Sequence, residues 1–485
     1  MLKWLLFGVA ALGGGCDRFE SETVFDADWV GYWSGSFRIL GDSVHVVLQI
    51  VETDSGGLSG RMSLPAQGVF DVPALAEREG RDLRVQVPSL RGRYQGRLRR
   101  GRSGIRGDWL QAGGKFRLGL ASVSSPPRFL RPQEPQPPFP YRVEEVRIGH
   151  SDGGVVLSGT LTLPDEDGPH PAVVLVSGSG PQDRDEALFG HRPFLVLADH
   201  LTRSGIAVLR YDDRGVAESS GDFAGATTED FATDALAAVD YLVALDGIDP
   251  ARVGIIGHSE GGIVAPIAAT RSERVAFIVS LAGTGISGRE LLELQTRLIL
   301  EASEVPAPVI ALNRRIQQEV LDDLLEAGSA DGALEVVREE LEASGGGLPY
   351  AAITALGLAA QVDRSLEEQI RRVASPWMFF FLAFDPSTAF EQVDVPVLAL
   401  NGSLDLQVPP DPNLRLIREA LQRGGNTNVT TMELDGLNHL FQTASSGLPS
   451  EYGRIEETMS PEVLRIVAEW IIALDPRPTR ERGGS

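Results

Sequence analysis

The chain has 485 residues, 42% of them hydrophobic, which is too apolar for a disordered chain and long enough for two or three domains. Its formal net charge of −23 repels nucleic acid and anionic lipid surfaces and excludes both as expected partners. One cysteine, Cys16, excludes any intrachain disulfide.

The chain opens with "MLKWLLFGVAALGGGC". One lysine, an apolar run from Trp4 to Leu12 and small residues before Cys16 describe an export signal over residues 1–16, too short to span a bilayer as a helix. Small residues followed by cysteine resemble a bacterial lipoprotein box. That resemblance implies lipidation of Cys16 and a cell-envelope location, with the membrane reached only through this anchor. Cleavage to a soluble periplasmic protein is the alternative.

Residues 17–123 read as an all-β domain. The segments "GYWSGSFRI", "SVHVVLQIVE", "GLSGRMSL", "DLRVQVPSL", "GRYQGRLRR", "SGIRGDWLQ" and "GKFRLGLAS" alternate with period two between glycine-rich turns, as in an antiparallel barrel or sandwich. Asp17–Ser124 carries 15 basic and 13 acidic residues, whereas Ser125 to the end carries 28 and 54. The acid load thus belongs to the C-terminal part. The run "RGRYQGRLRRGR", Arg91–Arg102, places alternate arginines on the wet face of strands. Trp33 and Trp109 read as core aromatics.

Ser124–Pro140 holds seven prolines, which make neither ladder nor helix and mark a stiff linker over residues 124–140. Beyond it, strands alternate with helices. "YRVEEVRI" and "VVLSGTLTLP" are followed by the apolar runs "PAVVLVSGSG", "IAVLRYDDRG", "RVGIIGHS", "VAFIVSLAGTG" and "VPVLALNGSLD", and "NVTTMELDG" closes the series. Continuous apolar strands separated by helices indicate a mostly parallel sheet covered on both faces, over residues 141–285 and 391–474. The helix "FATDALAAVDYLVAL" is expected to turn Phe231, Leu236, Val239, Leu242 and Val243 inward. Residues 286–390 interrupt the alternation with helical sequence ending in "SPWMFFFLAFDP". This insert reads as a lid, its aromatics Trp377, Phe379, Phe380, Phe381 and Phe384 serving mainly to attach it to the body. Residues 475–485 read as a disordered tail.

A serine hydroxyl needs a base, a group orienting that base and donors for an oxyanion before it can act as a nucleophile. "VGIIGHSEGG" places Ser259 where a strand reverses into a helix. Gly257 and Gly261 flank it where a Cβ would collide with the adjoining backbone. His439, in "LDGLNHLFQ" after the last strand, is the candidate base; His258 is expected to point away from an exposed Ser259. Asp405, in "NGSLDLQVPP", is the candidate orienting acid, with Asp435 and Asp411 as rivals and Asp394 at the wrong edge of the sheet. The backbone N–H groups of Glu260 and Ser179 are the candidate oxyanion donors, Ser179 lying in the loop "VSGSGPQDRDE". For the Glu260 carboxylate, favoured in any case at a helix N-terminus, pairing with Arg184 or Arg214 is the expectation.

The motifs "GHSEGG", "GSGPQDRDE", "YDDRGVAESSGD", "NGSLDLQVPP" and "GLNHLFQ" resemble the α/β-hydrolase superfamily, and within it the bacterial carboxylesterases carrying such an oxyanion loop. The resemblance spans Tyr141 to about Leu474. It implies an α/β-hydrolase fold with a helical lid insertion, and ester hydrolysis through Ser259, Asp405 and His439 on a small-molecule ester, with no metal or cofactor. Two positions depart from that pattern: Ser177 stands where many relatives have histidine, and Ala217 replaces a common glycine. A serine peptidase on the same fold is the alternative within hydrolases. A non-catalytic envelope-binding lipoprotein is the alternative of another class.

Overall fold

The computed structural model describes residues 29–327 and 375–477, apart from 40–41, 55, 66–68, 100–103, 112–113, 126–129 and 151–152. The export segment with Cys16, part of the insert and most of the expected tail therefore lie outside the described residues. The described chain forms two compact units: one holds 29–130, 300–327 and 448–454, the other 131–299, 375–447 and 455–477.

In the first unit, β1 (Gly31–Ile39), β2 (Asp42–Glu52), β3 (Leu58–Leu64), β4 (Val69–Glu79), β5 (Asp82–Val87), β6 (Gly92–Leu98), β7 (Gly104–Gln111) and β8 (Gly114–Val123) pair in sequence. Antiparallel pairing of β1 with β8 closes them into a barrel. Alternation drives Trp33, Phe37, Met62, Tyr94 and Trp109 into one buried core. Gly92 makes room for it, since a Cβ there would lie 2.1 Å from the Trp109 ring. Arg91, Arg93, Arg97 and Arg99 are exposed while Gly92, Tyr94 and Leu98 between them are buried, so the described part of the basic run is the wet face of a strand and its end. The alternation signal misses β4. Pro73, which has no N–H to give a ladder, and the charged end "ERE" disguise it, yet it pairs with both β3 and β5.

In the second unit, β9 (Tyr141–Gly149), β10 (Val156–Pro164), β11 (His170–Val176), β12 (Ala207–Tyr211), β13 (Ile248–His258), β14 (Phe277–Leu281), β15 (Val397–Gly402) and β16 (Val429–Leu434) form one sheet. Its order is β16-β15-β14-β13-β11-β12-β10-β9. The strands β11 to β16 run parallel, and β10 is antiparallel to both of its neighbours. The residues of β11, β12, β14 and β15 are buried throughout, as strands covered on both faces require.

Helices α1 (Pro193–Arg203), α2 (Thr228–Val243), α3 (Gly261–Arg271), α4 (Gly288–Ala302), α5 (Ala307–Ala327), α6 (Pro376–Ala383), α7 (Ser387–Phe390), α8 (Pro410–Arg423), α9 (Pro449–Tyr452) and α10 (Pro461–Ala473) occupy the connections. A Thr227–Asp230 capping box starts α2. Its buried face is Ala232, Ala235, Ala238, Val239 and Leu242, whereas Phe231, Leu236 and Val243 are only half-buried. The helix packs on α3 and β13, and alanines permit that approach where larger side chains would hold the helices apart. The proline-rich segment is more than a spacer. Arg131 donates to the carbonyls of Gly190, Phe189 and Ile455, and Gln133 bonds the backbone of Thr458 and Met459.

Candidate active site

Every parallel strand that carries a candidate residue delivers it at its carboxyl end, the edge of an open α/β sheet where sites form. Ser259 follows β13, Asp405 follows β15, His439 follows β16, the loop with Ser179 follows β11, and Asp212–Arg214 follow β12.

Ser259 takes φ 53°, a left-handed conformation for a residue with a side chain. The elbow is held by Ser259 N–H donating to the Leu281 carbonyl at 2.8 Å and by Gly262 N–H donating to the Ser259 carbonyl at 2.9 Å. The two glycines are sterically required. A Cβ on Gly257 would lie 1.9 Å from the Gly261 oxygen, and one on Gly261 would lie 2.2 Å from the Val176 oxygen. Gly178 brings the β11 loop beside the serine: its Cβ position is 3.2 Å from Ser259 Cβ. Among the described residues, neither the Glu260 nor the Ser179 N–H has an acceptor.

The structure brings Asp405 and His439 together, with Asp405 Oδ2 accepting from His439 Nδ1 at 2.8 Å. The other oxygen, Oδ1, accepts the N–H groups of Gln407 and Val408, both at 2.8 Å. Asp405 is only 1% exposed, so these bonds leave its carboxylate one orientation. The rival carboxylates do not reach His439. Asp435 meets Ser403, Asp411 meets Arg415, and Asp394 meets Arg477, and all three are exposed. Ser259 Oγ makes no hydrogen bond among the described residues; what joins its elbow to the His439 loop is its neighbour. The His258 Nε2 lies 3.0 Å from the His439 carbonyl oxygen, and the two rings are 4.9 Å apart between centroids. The His258 ring is buried against Glu186 and the His439 loop, contacts that its position in the sequence does not reveal.

Glu260 corrects the expected pairing. Arg184 instead bonds Asp212, Glu145 and Glu218, and Arg214 bonds Asp230 and Asp234. The Glu260 carboxylate is 4% exposed and accepts neutral donors, Thr228 Oγ1 at 2.8 Å and Trp377 Nε1 at 2.6 Å. Burial pushes its carboxyl up and polar neighbours, Trp377 and Thr228 foremost, pull it back, leaving it above the ordinary value. Thus α2 and α6 meet on one carboxylate. Arg184 does support the β11 loop, through Asp212: its backbone N–H and its guanidinium both reach that carboxylate. Trp377 stacks on Phe381, and Phe380 on Phe384, each one turn apart on or just beyond α6.

Both departures from the motif pattern have visible consequences. Ser177 Oγ donates to Asp213 Oδ1 at 2.9 Å while Gln182 N–H donates to Oδ2 at 2.9 Å, so Asp213 braces the loop. Burial drives the Asp213 carboxyl well above the carboxylate range. Ala217 has φ 46°, where a Cβ costs about 1 kcal/mol. Ala217→Gly is therefore expected to raise stability by roughly 0.5–1 kcal/mol, read as a higher urea midpoint at unchanged m. A lower midpoint would show that the loop does not carry this strain.

The profile of the family described as "X-Pro dipeptidyl-peptidase (S15 family)" matches residues 152–429, more than half of the chain. Esterase EstD of Thermotoga maritima is 27% identical over 326 residues, covering 64% of this chain and 65% of that protein. The chain thus spans a little less than two thirds of that relative's length. Among solved structures, DcsB in complex with its substrate analogue aligns with TM-score 0.42 and 17% identity, over 68% of this chain and 99% of that one. The Pyrococcus furiosus esterase PF2001 aligns with TM-score 0.41 and 16% identity, over 68% and 91%. Likenesses this low decide nothing about chemistry.

Proposed function

The chain belongs to the X-Pro dipeptidyl-peptidase (S15) family, and from that premise we propose that it is a serine hydrolase cleaving small carboxylic esters. The observation that carries this reading is the buried Asp405–His439 pair at one strand edge with the Ser259 elbow and two acceptor-free N–H groups. In the proposed reaction, Ser259 Oγ attacks the ester carbonyl carbon as its proton passes to His439 Nε2. The oxyanion then accepts the N–H groups of Glu260 and Ser179. Collapse breaks the bond to the alcohol oxygen, which takes the proton from His439. Water, deprotonated by His439, attacks the acyl-enzyme through the same oxyanion, releasing the acid and restoring Ser259.

The family description favours a second reading, cleavage of peptides with a free N-terminus. Binding an ammonium group would need an acid free to meet it, and among the described residues three buried acids of this region are engaged: Glu260 by Thr228 and Trp377, Glu186 by Gly178 and His258, Asp213 by Ser177 and Gln182. The EstD likeness points the same way. The ester reading predicts kcat/KM on p-nitrophenyl butyrate at least about 100-fold above that on glycyl-prolyl-p-nitroanilide. The reverse ratio would make the peptidase reading the correct one.

A further inference from the structure

We propose that His258 is a positioning residue for this reaction, a buried imidazolium whose two N–H groups tie the loop carrying Ser179 and the loop carrying His439 to the Ser259 elbow. The proposal rests on the triad reading above. Its geometry stands apart from that reading.

His258 is 6% exposed, and both of its ring nitrogens face acceptors. Nδ1 lies 2.8 Å from Glu186 Oε1, and Nε2 lies 3.0 Å from the His439 carbonyl oxygen. A neutral imidazole has one N–H and would leave one nitrogen lone pair facing an oxygen. Were the proton on Glu186 instead, Oε1 would have to donate to Nδ1 as a hydroxyl, a poorer acceptor than a carboxylate oxygen. The oxygen concerned, Oε1, also accepts the Gly178 N–H at 2.7 Å and so takes two donors. The doubly protonated ring leaves Oε1 a carboxylate oxygen, the better acceptor for two donors, and makes both ring contacts charge-assisted.

The charge environment agrees. Burial alone would lower the His258 affinity for its second proton, but the Glu186 carboxylate, the His439 carbonyl and Asp405 outweigh it and hold it above the ordinary histidine value. The groups facing this ring are Glu186 from the β11 loop and His439, with Asp405 behind it; Asp213 and Glu260 act on the same cluster of carboxylates.

The ties have a mechanical consequence. Glu186 Oε1 holds Gly178, the residue before Ser179, while His258 sits next to Ser259 and grips the carbonyl of His439 itself. Base, nucleophile and oxyanion loop are therefore referenced to one ring. Glu186 adopts φ 51°, a left-handed conformation of the kind that persists where the surrounding structure enforces it. Because the second proton is held more tightly in the folded state, its contribution is fully present below the unfolded histidine value. It is lost as pH rises through the raised folded value.

Histidine-15N NMR of the full chain tests the protonation, with His258 assigned through His258→Gln. At pH 7.5 both His258 nitrogens are expected to be protonated, and a neutral ring there overturns the proposal whether or not the chain hydrolyses esters. In the kinetic arm, Glu186→Gln can keep a hydrogen bond to Gly178 and to a neutral His258, so it removes charge while sparing the fold. It is expected to lower kcat on p-nitrophenyl butyrate between about tenfold and a hundredfold, to leave KM within about twofold, and to move the alkaline limb of the rate profile to lower pH. Native kcat with an unmoved limb overturns the positioning role. Fluorophosphonate labelling of the native chain separates the two readings, since failure to label counts against the serine nucleophile and leaves the NMR outcome standing. Should His258→Gln not fold, the native spectrum and Glu186→Gln decide.

Discussion

Ser259→Ala is expected to abolish labelling by a fluorophosphonate probe and to lower kcat on p-nitrophenyl butyrate by about 10⁴- to 10⁶-fold, with the fold intact. The size of the loss follows from what Ser259 contributes. In the proposed reaction it supplies the only atom that becomes covalently bonded to the acyl group, and alanine would leave water to attack in its place. The fold survives because the elbow is held by backbone groups, Ser259 N–H to Leu281 and Gly262 N–H to the Ser259 carbonyl, while its hydroxyl makes no hydrogen bond among the described residues. Mass spectrometry of the labelled native chain should place the adduct on the peptide containing Ser259. An adduct on any other serine, or a Ser259→Ala variant that still labels, sinks the proposed nucleophile.

Asp405→Asn is expected to lower kcat by about 10⁴-fold with little change in KM. The Oδ1 atom is committed to the N–H groups of Gln407 and Val408, and Oδ2 to His439 Nδ1. An asparagine keeps its oxygen on the two backbone donors and must turn its NH₂ toward His439. The ring then carries its proton on Nε2, with no lone pair left there for the proposed base role. Asp435→Asn and Asp411→Asn are the matched controls: these exposed acids meet Ser403 and Arg415, and each should keep kcat within about twofold. A variant at position 405 with near-native turnover, or a control that fails as badly, would show that another group orients the base.

Much of the second unit is legible in the sequence because its signals are local. Each apolar run from "PAVVLVSGSG" to "VPVLALNGSLD" contains a strand of the sheet. A run buried on both faces needs no knowledge of its neighbours to be recognised. The collisions awaiting a Cβ at Gly257 and Gly261 are equally local, set by a strand reversing into a helix within a few residues. The barrel is legible as alternation but not as closure. Whether β1 meets β8 depends on the twist accumulated over all the strands, and β4, carrying Pro73, breaks the very pattern that reveals the other seven.

The sequence by itself determined which residue types stand at the ends of the strands: a serine on a glycine elbow, an aspartate, a histidine and a glycine-rich loop. The tertiary structure decided what the remaining side chains do. On charge alone Glu260 belongs with an arginine, yet Arg184 and Arg214 are taken by other carboxylates, and it accepts Thr228 and Trp377 instead. His258 reads as a bystander in "GHSEGG" until β13 and β11 are placed side by side and the Glu186 carboxylate and the His439 carbonyl arrive at its two nitrogens. Periodicity and steric demand act over a few residues and are written in the chain. Choice of partner in a dry interior is a competition among all the groups that the sheet order brings within reach, and only the assembled sheet settles it.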